Sequence, residues 1–506
     1  MLANLINRIG ELRYASFRGG IRPTAHKQRT LRSRIMPMPL PEQLFLSLSA
    51  YKEEHLSPVV AVGEQVQKFQ VIAKHGSRDD LVLHAPTSGS IREITAKHIQ
   101  LACDGLDTPA PLAQPDESRP LTPAEIIRRI ARAGISGLGG AGFSTAAKLR
   151  SAAEGPVETL IINGAECEPY ICCDEALLRE SAHEVIAGAE YLMQACGART
   201  CLLAIEADKT DAITAVRDKL GSSPVRLKLL ASKYPAGDER VIIKSTTGKE
   251  VPDTLRPAEV GILVQNVGTA RAVFEAVTKE QPCIGRVVSV AGSPLQTPKN
   301  FYALIGTPIS HLLKLCGIEV APESIIVGGS LMGRYVDSEL AVEKTSNCIV
   351  VPDPVNFPQP EPERACIRCG YCAEACPVGL LPQQLLRFSQ SQDQDGLLEH
   401  GLMNCIECGA CAYVCPSNIP LVQHYRYSKE NIRSVQQDQA RSQQWQTRYQ
   451  YYQYRHKKLT EASTRKKART DTRSPIEAPE FSRATAKMEI AAAVARVKAK
   501  KRKGKD

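Results

Sequence analysis

Between Pro37 and about Pro109 the apolar positions fall in short alternating runs, broken by Pro-Val-Val-Ala-Val-Gly (58–63) and His-Ala-Pro-Thr-Ser-Gly (84–89). Short strands separated by Gly and Pro at such intervals predict a small β barrel or sandwich. Gln65 to Lys74, followed by the turn at His84 to Gly89, reads as a lipoyl-type half-barrel hairpin, with no lysine at the turn's tip for a swinging cofactor. A structural lipoyl-like domain is therefore expected over 36–115, after a polar, basic arm over 1–35. Beyond a Pro-rich linker (109–121), Thr122-Pro123-Ala124-Glu125 starts a helix as N-cap, first-turn proline and capping-box acid, with Ile126, Ile127 and Ile130 on one face. From its end at Gly134 to about 312, glycine turns, β-branched runs (159–162, 261–264, 287–290) and amphipathic helices alternate, predicting an α/β domain over 120–312. Ile318 to Tyr335, around Gly328-Gly329-Ser330, predicts a small β module over 315–350, and the proline-rich stretch 352–362 a stiff linker.

The 506 residues suffice for about three to five domains. With 43% apolar and 23% charged residues the chain is neither fibrous nor disordered as a whole. No window approaches the ~18–20 uninterrupted apolar residues of a membrane-spanning helix, and the basic N-terminus lacks the apolar stretch and cleavage site of a signal peptide. A cytosolic protein with at most peripheral membrane association is expected. The net charge of +10 is uneven: Arg426 to Asp506 holds 22 Lys+Arg against 8 Asp+Glu, the remainder 42 against 46. This basic tail (426–506) is Gln-, Lys- and Arg-rich, with Trp445 and a Tyr/Gln run at 449–454. It reads as largely disordered, ending in a basic helix from Ala484 to Lys503. Basic stripes bind polyphosphate, but no nucleic-acid module accompanies this one. Anionic lipid or a neighbouring subunit is the better match, and no nucleic acid is expected.

Seventeen cysteines need a reason in a chain with little use for disulfides. Eight form two identical C-x2-C-x2-C-x3-C-P sets: Cys366, Cys369, Cys372, Cys376 with Pro377, and Cys405, Cys408, Cys411, Cys415 with Pro416. Three cysteines at i, i+3 and i+6 wrap one iron–sulfur cube, while the fourth serves its neighbour. The predicted sets are thus crossed: Cys366, Cys369, Cys372 with Cys415, and Cys405, Cys408, Cys411 with Cys376. Zinc ribbons also use C-x2-C pairs, but leave the third cysteine and the proline without a role. Two [4Fe–4S] clusters are expected in a ferredoxin-type module over 363–425. Gly370 and Gly409 follow the second cysteine of each set, where backbone passes close to sulfide. The other nine cysteines read as small buried hydrophobes.

A one-electron relay needs a source. Gly137-Leu-Gly139-Gly140-Ala-Gly142-Phe143 contains G-x-G-x-x-G, but follows a helix rather than the strand of a dinucleotide fold. Its backbone N–H groups, the helix starting near Thr145 and Lys148 one turn in suit a phosphate; a plain helix–helix turn is the alternative. Leu160-Ile-Ile-Asn163-Gly-Ala-Glu166-Cys-Glu168-Pro-Tyr170 runs a buried strand into paired carboxylates, suited to an isoalloxazine edge, ribityl hydroxyls and a nicotinamide ribose. Tyr234-Pro-Ala-Gly237-Asp238-Glu239 and Gln265-Asn266-Val-Gly-Thr269 add polar clusters of the type that line α/β crevices.

With these motifs on one chain, residues 17–425 resemble the RnfC (RsxC) family of the Rnf (Rsx) electron-transport complex, whose central domain is similar to the flavin- and NADH-binding subunit of respiratory complex I. The resemblance implies a translocase-type oxidoreductase, coupling electron transfer between NADH and ferredoxin to ion translocation. It implies FMN, NADH as substrate, two [4Fe–4S] clusters, the complex's other subunits and a ferredoxin-like subunit as partners, and a peripheral place on the cytoplasmic face of the inner membrane. Some members are proposed to keep a redox-sensing transcription factor reduced.

By the same resemblance, Gly137, Gly139, Gly140, Gly142 and Lys148 match the flavin phosphate and ring site, and Asn163, Glu166 and Glu168 the flavin edge. Asp238 and Glu239 match the acidic pair near the nicotinamide, Asn266 and Thr269 the phosphate side. Glu166 is the acid expected to tune the flavin. Residues 318–335 resemble a ubiquitin-like module, and Ala484 to Lys503 one copy of an Ala/Lys-rich repeat. Two positions depart from the pattern: Ser144 replaces a proline and Ala165 an aspartate. The competing expectation is a flavin-free iron–sulfur relay scaffold.

Overall fold

The computed structural model describes residues 14–49, 54–112, 120–152, 155–319, 322, 324–337, 340–358, 361–471 and 483–502, the side chains of 467–471 and 498–502 excepted. It divides into two units, Met1–Lys429 and Glu430–Asp506. After β1 (Met36–Pro37), seven short strands build the N-terminal domain: β2 (Gln43–Ser47), β3 (Ser57–Pro58), β4 (Gln65–Val66), β5 (Val71–Lys74), β6 (Val82–His84), β7 (Gly89–Ile94) and β8 (His98–Cys103). They pair as two antiparallel sheets, β2-β8-β7-β4 and β3-β5-β6. Alternate side chains point inward, so Leu44, Leu46, Ile72, Leu83, Ile91, Ile99 and Leu101 fill one core. This is the expected barrel-sandwich. Most of the linker (113–119) lies outside the described residues.

The central layer starts with α1 (Pro123–Arg132), capped by Thr122 as its sequence predicts, and α2 (Thr145–Ala152). Next come β9 (Thr159–Gly164), α3 (Cys173–Cys196), β10 (Thr200–Glu206), α4 (Thr210–Leu220), β11 (Val225–Leu230), α5 (Glu239–Thr247), β12 (Ile262–Asn266) and α6 (Val267–Lys279). The four strands form a parallel sheet in the order β11-β10-β9-β12. β9 is buried along nearly its whole length, as a parallel strand covered on both faces must be. α3 and α6 pack so closely that a Cβ on Gly188 would stand 1.8 Å from the Ala270 carbonyl oxygen.

Three expectations are corrected. Residues 285–304, assigned to the α/β domain, instead form β13 (Gly285–Ala291) and β14 (Lys299–Leu304) of a second sheet. With α7 (Ile309–Leu315), β15 (Ile325–Val327), β16 (Arg334–Val336) and β17 (Cys348–Val350), that sheet runs β1-β14-β13-β17-β15-β16. The small module therefore begins near 285, because β13 serves both layers: Val288 and Val290 face the second core, Val287 and Ala291 the first. Second, residues 14–35 are no loose arm. Ala15 bridges Leu230, Ile21 bridges Tyr234, and Lys27 and Thr30 are buried; residues 1–13 lie outside the described set.

Third, the basic tail is helical over most of its described length. The cysteine module holds α8 (Tyr371–Ala375), α9 (Pro382–Gln390), α10 (Gln394–Glu399) and α11 (Ala410–Tyr413); α12 (Leu421–Asp471) and α13 (Arg483–Arg502) follow. Polarity argued against a packed core there, but the 51 residues of α12 contain neither glycine nor proline and are rich in good helix formers. Residues 472–482 and 503–506 lie outside the described set.

Gly188→Ala should destabilise unit 1 by about 2–4 kcal/mol or prevent its folding, because α3 and α6 would have to separate. Urea unfolding followed by far-ultraviolet circular dichroism measures this.

Candidate functional site

Parallel strands deliver their C-terminal residues to one edge. Here β9, β10 and β12 end at Asn163–Gly164, Glu206 and Asn266, with Asn163 and Asn266 in register. α3, α5 and α6 start from the same edge, which is where open α/β sheets bind ligands.

The glycine loop closes on itself between α1 and α2: Gly137 N–H donates to the Phe143 carbonyl (2.8 Å) and Gly142 N–H to that of Gly137 (3.1 Å). Gly142 needs its positive φ of 67° to make the turn. Leu138 N–H donates to Thr269 Oγ1 (3.0 Å), and a Cβ on Gly139 would meet Asn266, so the loop lies on the first turn of α6. The N–H groups of Gly139, Gly140 and Ala141 find no acceptor among the described residues. Three such donors beside the N-terminus of a 13-residue helix suit an anionic phosphate. Ser144, where the family pattern has proline, accepts the Ala147 N–H (3.2 Å) and so anchors α2 by another route. Lys148 reaches Glu239 (2.8 Å) and the Val264 carbonyl (2.8 Å).

The polar residues of the strand ends divide their labour. Asn163 donates to the Gly237 carbonyl (2.8 Å) and accepts from Ala165 N–H, stapling the loop after β9 to the loop before α5. Asp238 caps α5, accepting from the N–H groups of Arg240 and Val241. Asn266 caps α6 through Gly268 N–H and donates to Asp174 (2.6 Å). Glu166 does not face the open edge: its carboxylate accepts the N–H groups of Asp174 (2.9 Å) and Glu175 (3.2 Å), capping α3. Glu168 accepts the N–H groups of Leu331 (3.1 Å) and Met332 (2.9 Å), holding the glycine turn between β15 and β16. Burial pushes Glu168 up to about 7 despite these donors.

Beneath this surface lies an ion cluster that sequence reading missed. Lys27 donates to the Glu166 carbonyl, Lys209 pairs with Glu175 (3.2 Å), and Glu206 accepts the Glu166 N–H (3.1 Å). Burial pushes Glu206 up to about 7; burial and the Glu166 charge do the same to Asp174. Burial pulls Lys209 down, but Glu206, Glu175 and Asp208 outweigh it and raise it. Glu206 had a signal, an acid closing an apolar strand; Lys27, 139 residues from its partner, had none.

In the cysteine module, one shallow recess is lined by Cys366, Cys369, Cys372 and Cys415. Cys405, Cys408 and Cys411 instead share their electrostatic neighbourhood with Cys376. Both groupings follow the crossed arrangement. The two loops are near copies: Arg368 and Glu407 both adopt φ of 57°, and Gly370 and Gly409 start α8 and α11. Cys376 Sγ accepts Leu380 N–H (3.3 Å) and Cys405 Sγ accepts Glu407 N–H (3.4 Å), the kind of outer bond that orients a ligating sulfur. The donor set and its surroundings therefore fit iron–sulfur clusters. The Cys376 set lies against the α/β layer: Tyr234 donates its hydroxyl to the Cys408 carbonyl (2.5 Å), and Ile21, Tyr234, Ala375, Cys408 and Ala410 share an apolar cluster. Cys366 and Cys369, by contrast, are exposed. Of the other nine cysteines, seven are buried.

Three family models match the chain: the RnfC Barrel sandwich hybrid domain over 15–107, the Nuo51 FMN-binding domain over 130–275 and a 4Fe-4S dicluster domain over 365–419. The RnfC protein of the ion-translocating oxidoreductase complex of Yersinia pestis is 43% identical over 460 residues, 87% of this chain and 73% of that protein. This chain belongs to the RnfC family. The RnfC proteins of Pseudomonas aeruginosa (43% over 453 residues) and Serratia proteamaculans (41% over 468 residues) match 87% and 89% of the chain. The chain spans 58% and 66% of the length of those two relatives. Its first family model starts at 15, in keeping with residues 14–35 being part of the folded body.

In the folded chain, Glu168, Asp174 and Glu206 hold protons at pH values where the carboxyls of an unfolded chain have lost theirs. The folded state therefore binds more protons between about pH 4.5 and 7, and its stability falls as pH rises through that window. Between about pH 5 and 8 the thermal midpoint should drop, and Glu206→Gln should remove a share of the drop on the order of 1–3 kcal/mol. Melts at several pH values check both; a Glu206→Gln slope equal to the parent's would contradict the assignment.

Proposed function

We propose that this chain is the NADH-linked electron-transfer subunit of an ion-translocating complex, peripheral on the cytoplasmic face of the inner membrane, with FMN at the strand ends and two [4Fe–4S] clusters in the cysteine module. The other members of the complex, one of them ferredoxin-like, are its partners. The observation that carries this reading is the pair of four-cysteine sets, one packed on the α/β layer and one exposed. Bound FMN supplies the exchange between a hydride and single electrons, and the clusters supply one-electron storage.

The chain's own residues have definite tasks in this scheme. The N–H groups of Gly139, Gly140 and Ala141, with the start of α6, hold the phosphate. Asn163 fixes the spacing between the two loops beneath the ring, and Glu239 with Lys148 borders the nicotinamide side. Glu166, turned inward onto α3, shapes the loop after β9 from below, and Glu168, held by the Leu331 and Met332 N–H groups, ties that loop to the turn between β15 and β16. Cys376, Cys405, Cys408 and Cys411 form the inner station and Cys366, Cys369, Cys372 and Cys415 the outer one, whose exposure leaves it open to a partner. The sequence of transfer is then nucleotide, flavin, inner set, outer set, and the same parts run in reverse.

Anaerobically purified protein should contain one flavin and roughly eight iron atoms per chain and should bleach with NADH. Cys366→Ser should lose about half the iron yet keep NADH bleaching of the flavin and one cluster. Cys408→Ser should also lose about half, with the outer cluster no longer reduced by NADH on the parent's timescale. Iron and flavin analysis with low-temperature electron paramagnetic resonance reads these outcomes. Full iron content with no flavin and no NADH bleaching would replace the proposal by a flavin-free relay.

A further inference from the structure

The C-terminal unit, taken by itself, presents a patterned surface that the redox chemistry does not use. Along α12, Trp445, Tyr449, Tyr452, His456 and Leu459 recur at intervals of four and three residues. At 100° per residue they occupy a stripe about 80° wide. Trp445, Tyr449, Tyr452 and Leu459 are 63%, 60%, 53% and 64% exposed. Arg441, Arg448 and Arg455, seven residues apart, follow one flank of the stripe, and Lys457 and Lys458 lie on the far side. The Arg448 guanidinium stands 5.6 Å from the centre of the Trp445 ring.

We infer that this face of α12 is a docking surface for a bilayer bearing anionic headgroups, on which the helix lies in the plane of the interface. Three observations select that occupant. The stripe is made of rings with polar tips and only one leucine, the composition that the headgroup–acyl boundary accommodates and a dry protein core does not favour. The unit from Glu430 to Asp506 carries 20 Lys+Arg against 8 Asp+Glu, so the covering surface must be negative. That surplus also opposes pairing with a second copy, because two such units would repel along the shared seam. α13 repeats the device in miniature, with Ile490, Val494 and Val497 exposed in one line on a basic helix.

This inference deepens the membrane-side part of the proposed function and rests on it, but can fail alone. Trp445 is the only tryptophan of the chain, so its emission reports on the stripe and nothing else. Cofactor-loaded full-length protein is titrated with vesicles of phosphatidylcholine alone, or with about 30% phosphatidylglycerol, an anionic surface. The expected result is a blue shift of Trp445 emission and vesicle flotation only with the anionic vesicles, weakened about tenfold or more by added salt. Replacing Arg441, Arg448 and Arg455 by glutamine should weaken the apparent affinity by at least about tenfold. Tyr449→Ser with Tyr452→Ser should reduce both the shift and the affinity, with helix content unchanged by circular dichroism. No shift with either vesicle, an equal shift with both, or a shift only with polyglutamate or duplex DNA would overturn the inference. A protein that bleaches with NADH but ignores vesicles would overturn it and leave the redox reading standing.

Discussion

Burying charge at the edge of the parallel sheet is the constraint around which the site is built. Glu166, Asp174, Glu175 and Glu206 crowd under the loop after β9, and Lys27 and Lys209 are the cations set against them. A carboxylate removed from water must be hydrogen-bonded, paired or protonated. All three solutions occur together: Glu166 caps a helix, Glu175 takes an ammonium, and Glu206 and Asp174 are pushed toward neutrality. The loop from Asn163 to Cys172 has little freedom left. Its carbonyl at Glu166 is fixed by Lys27, its amide there by Glu206, and Tyr170 is turned to a φ of 68° and stacked against His26. A loop held at so many points presents the strand ends with fixed geometry, and binding or catalytic geometry is lost over small displacements.

That loop is tied to the cysteine module by the segment that supplies Lys27. Residues 15–30 pair with the end of β11, bridge Tyr234, and pass so close to the module that a Cβ on Gly19 would stand 2.6 Å from the Cys376 carbonyl oxygen. Gly20 N–H donates to Ala375 (2.9 Å). Tyr234 approaches from the other side to bond Cys408. One strip of backbone therefore touches both the acidic loop and the inner cysteine set. Glu168 makes a third tie, because the turn it holds carries Leu331 into the apolar cluster around Cys408.

Much of this was legible in the sequence, for reasons that differ by residue. The cysteine sets were readable because ligand spacing is a local property; so was Thr122, whose capping role needs only its own helix, whereas Asn266 was read as a polar residue of the crevice and not as the cap of α6. The loop at 137–142 was readable from its glycines, and those at 163–168 and 234–239 as polar clusters at the ends of strands or turns. What each side chain does there was not, since Glu166 and Glu168 differ only in which distant backbone N–H groups meet them. Lys27 was unreadable because its partner is set by tertiary folding. The second sheet was misassigned because a strand shared between two cores carries no mark of which layer it joins. α12 was missed, unlike the terminal basic helix that α13 matches, because polarity speaks to packing, while a long run without glycine or proline and rich in Gln, Arg, Lys and Ala favours a helix through its propensities alone.

The two cysteine sets, alike in sequence, are made unlike by what covers them. Cys376, Cys408 and Cys411 are buried, whereas Cys366 and Cys369 face solvent beside the exposed side chains of Ile367 and Tyr371. Cluster potentials respond to solvent exposure and to nearby charge. The inner loop is flanked by Lys429, bonded to the Cys405 carbonyl (2.6 Å), and by Glu407, itself paired with Lys429 and Arg426. The outer loop has Arg368 at the position equivalent to Glu407. An identical motif thus receives opposite charges at matching positions and opposite degrees of burial. Two equal stations would give a relay no preferred end. The asymmetry of their surroundings, rather than any difference in ligands, is what distinguishes the set packed on the α/β layer from the set open to solvent.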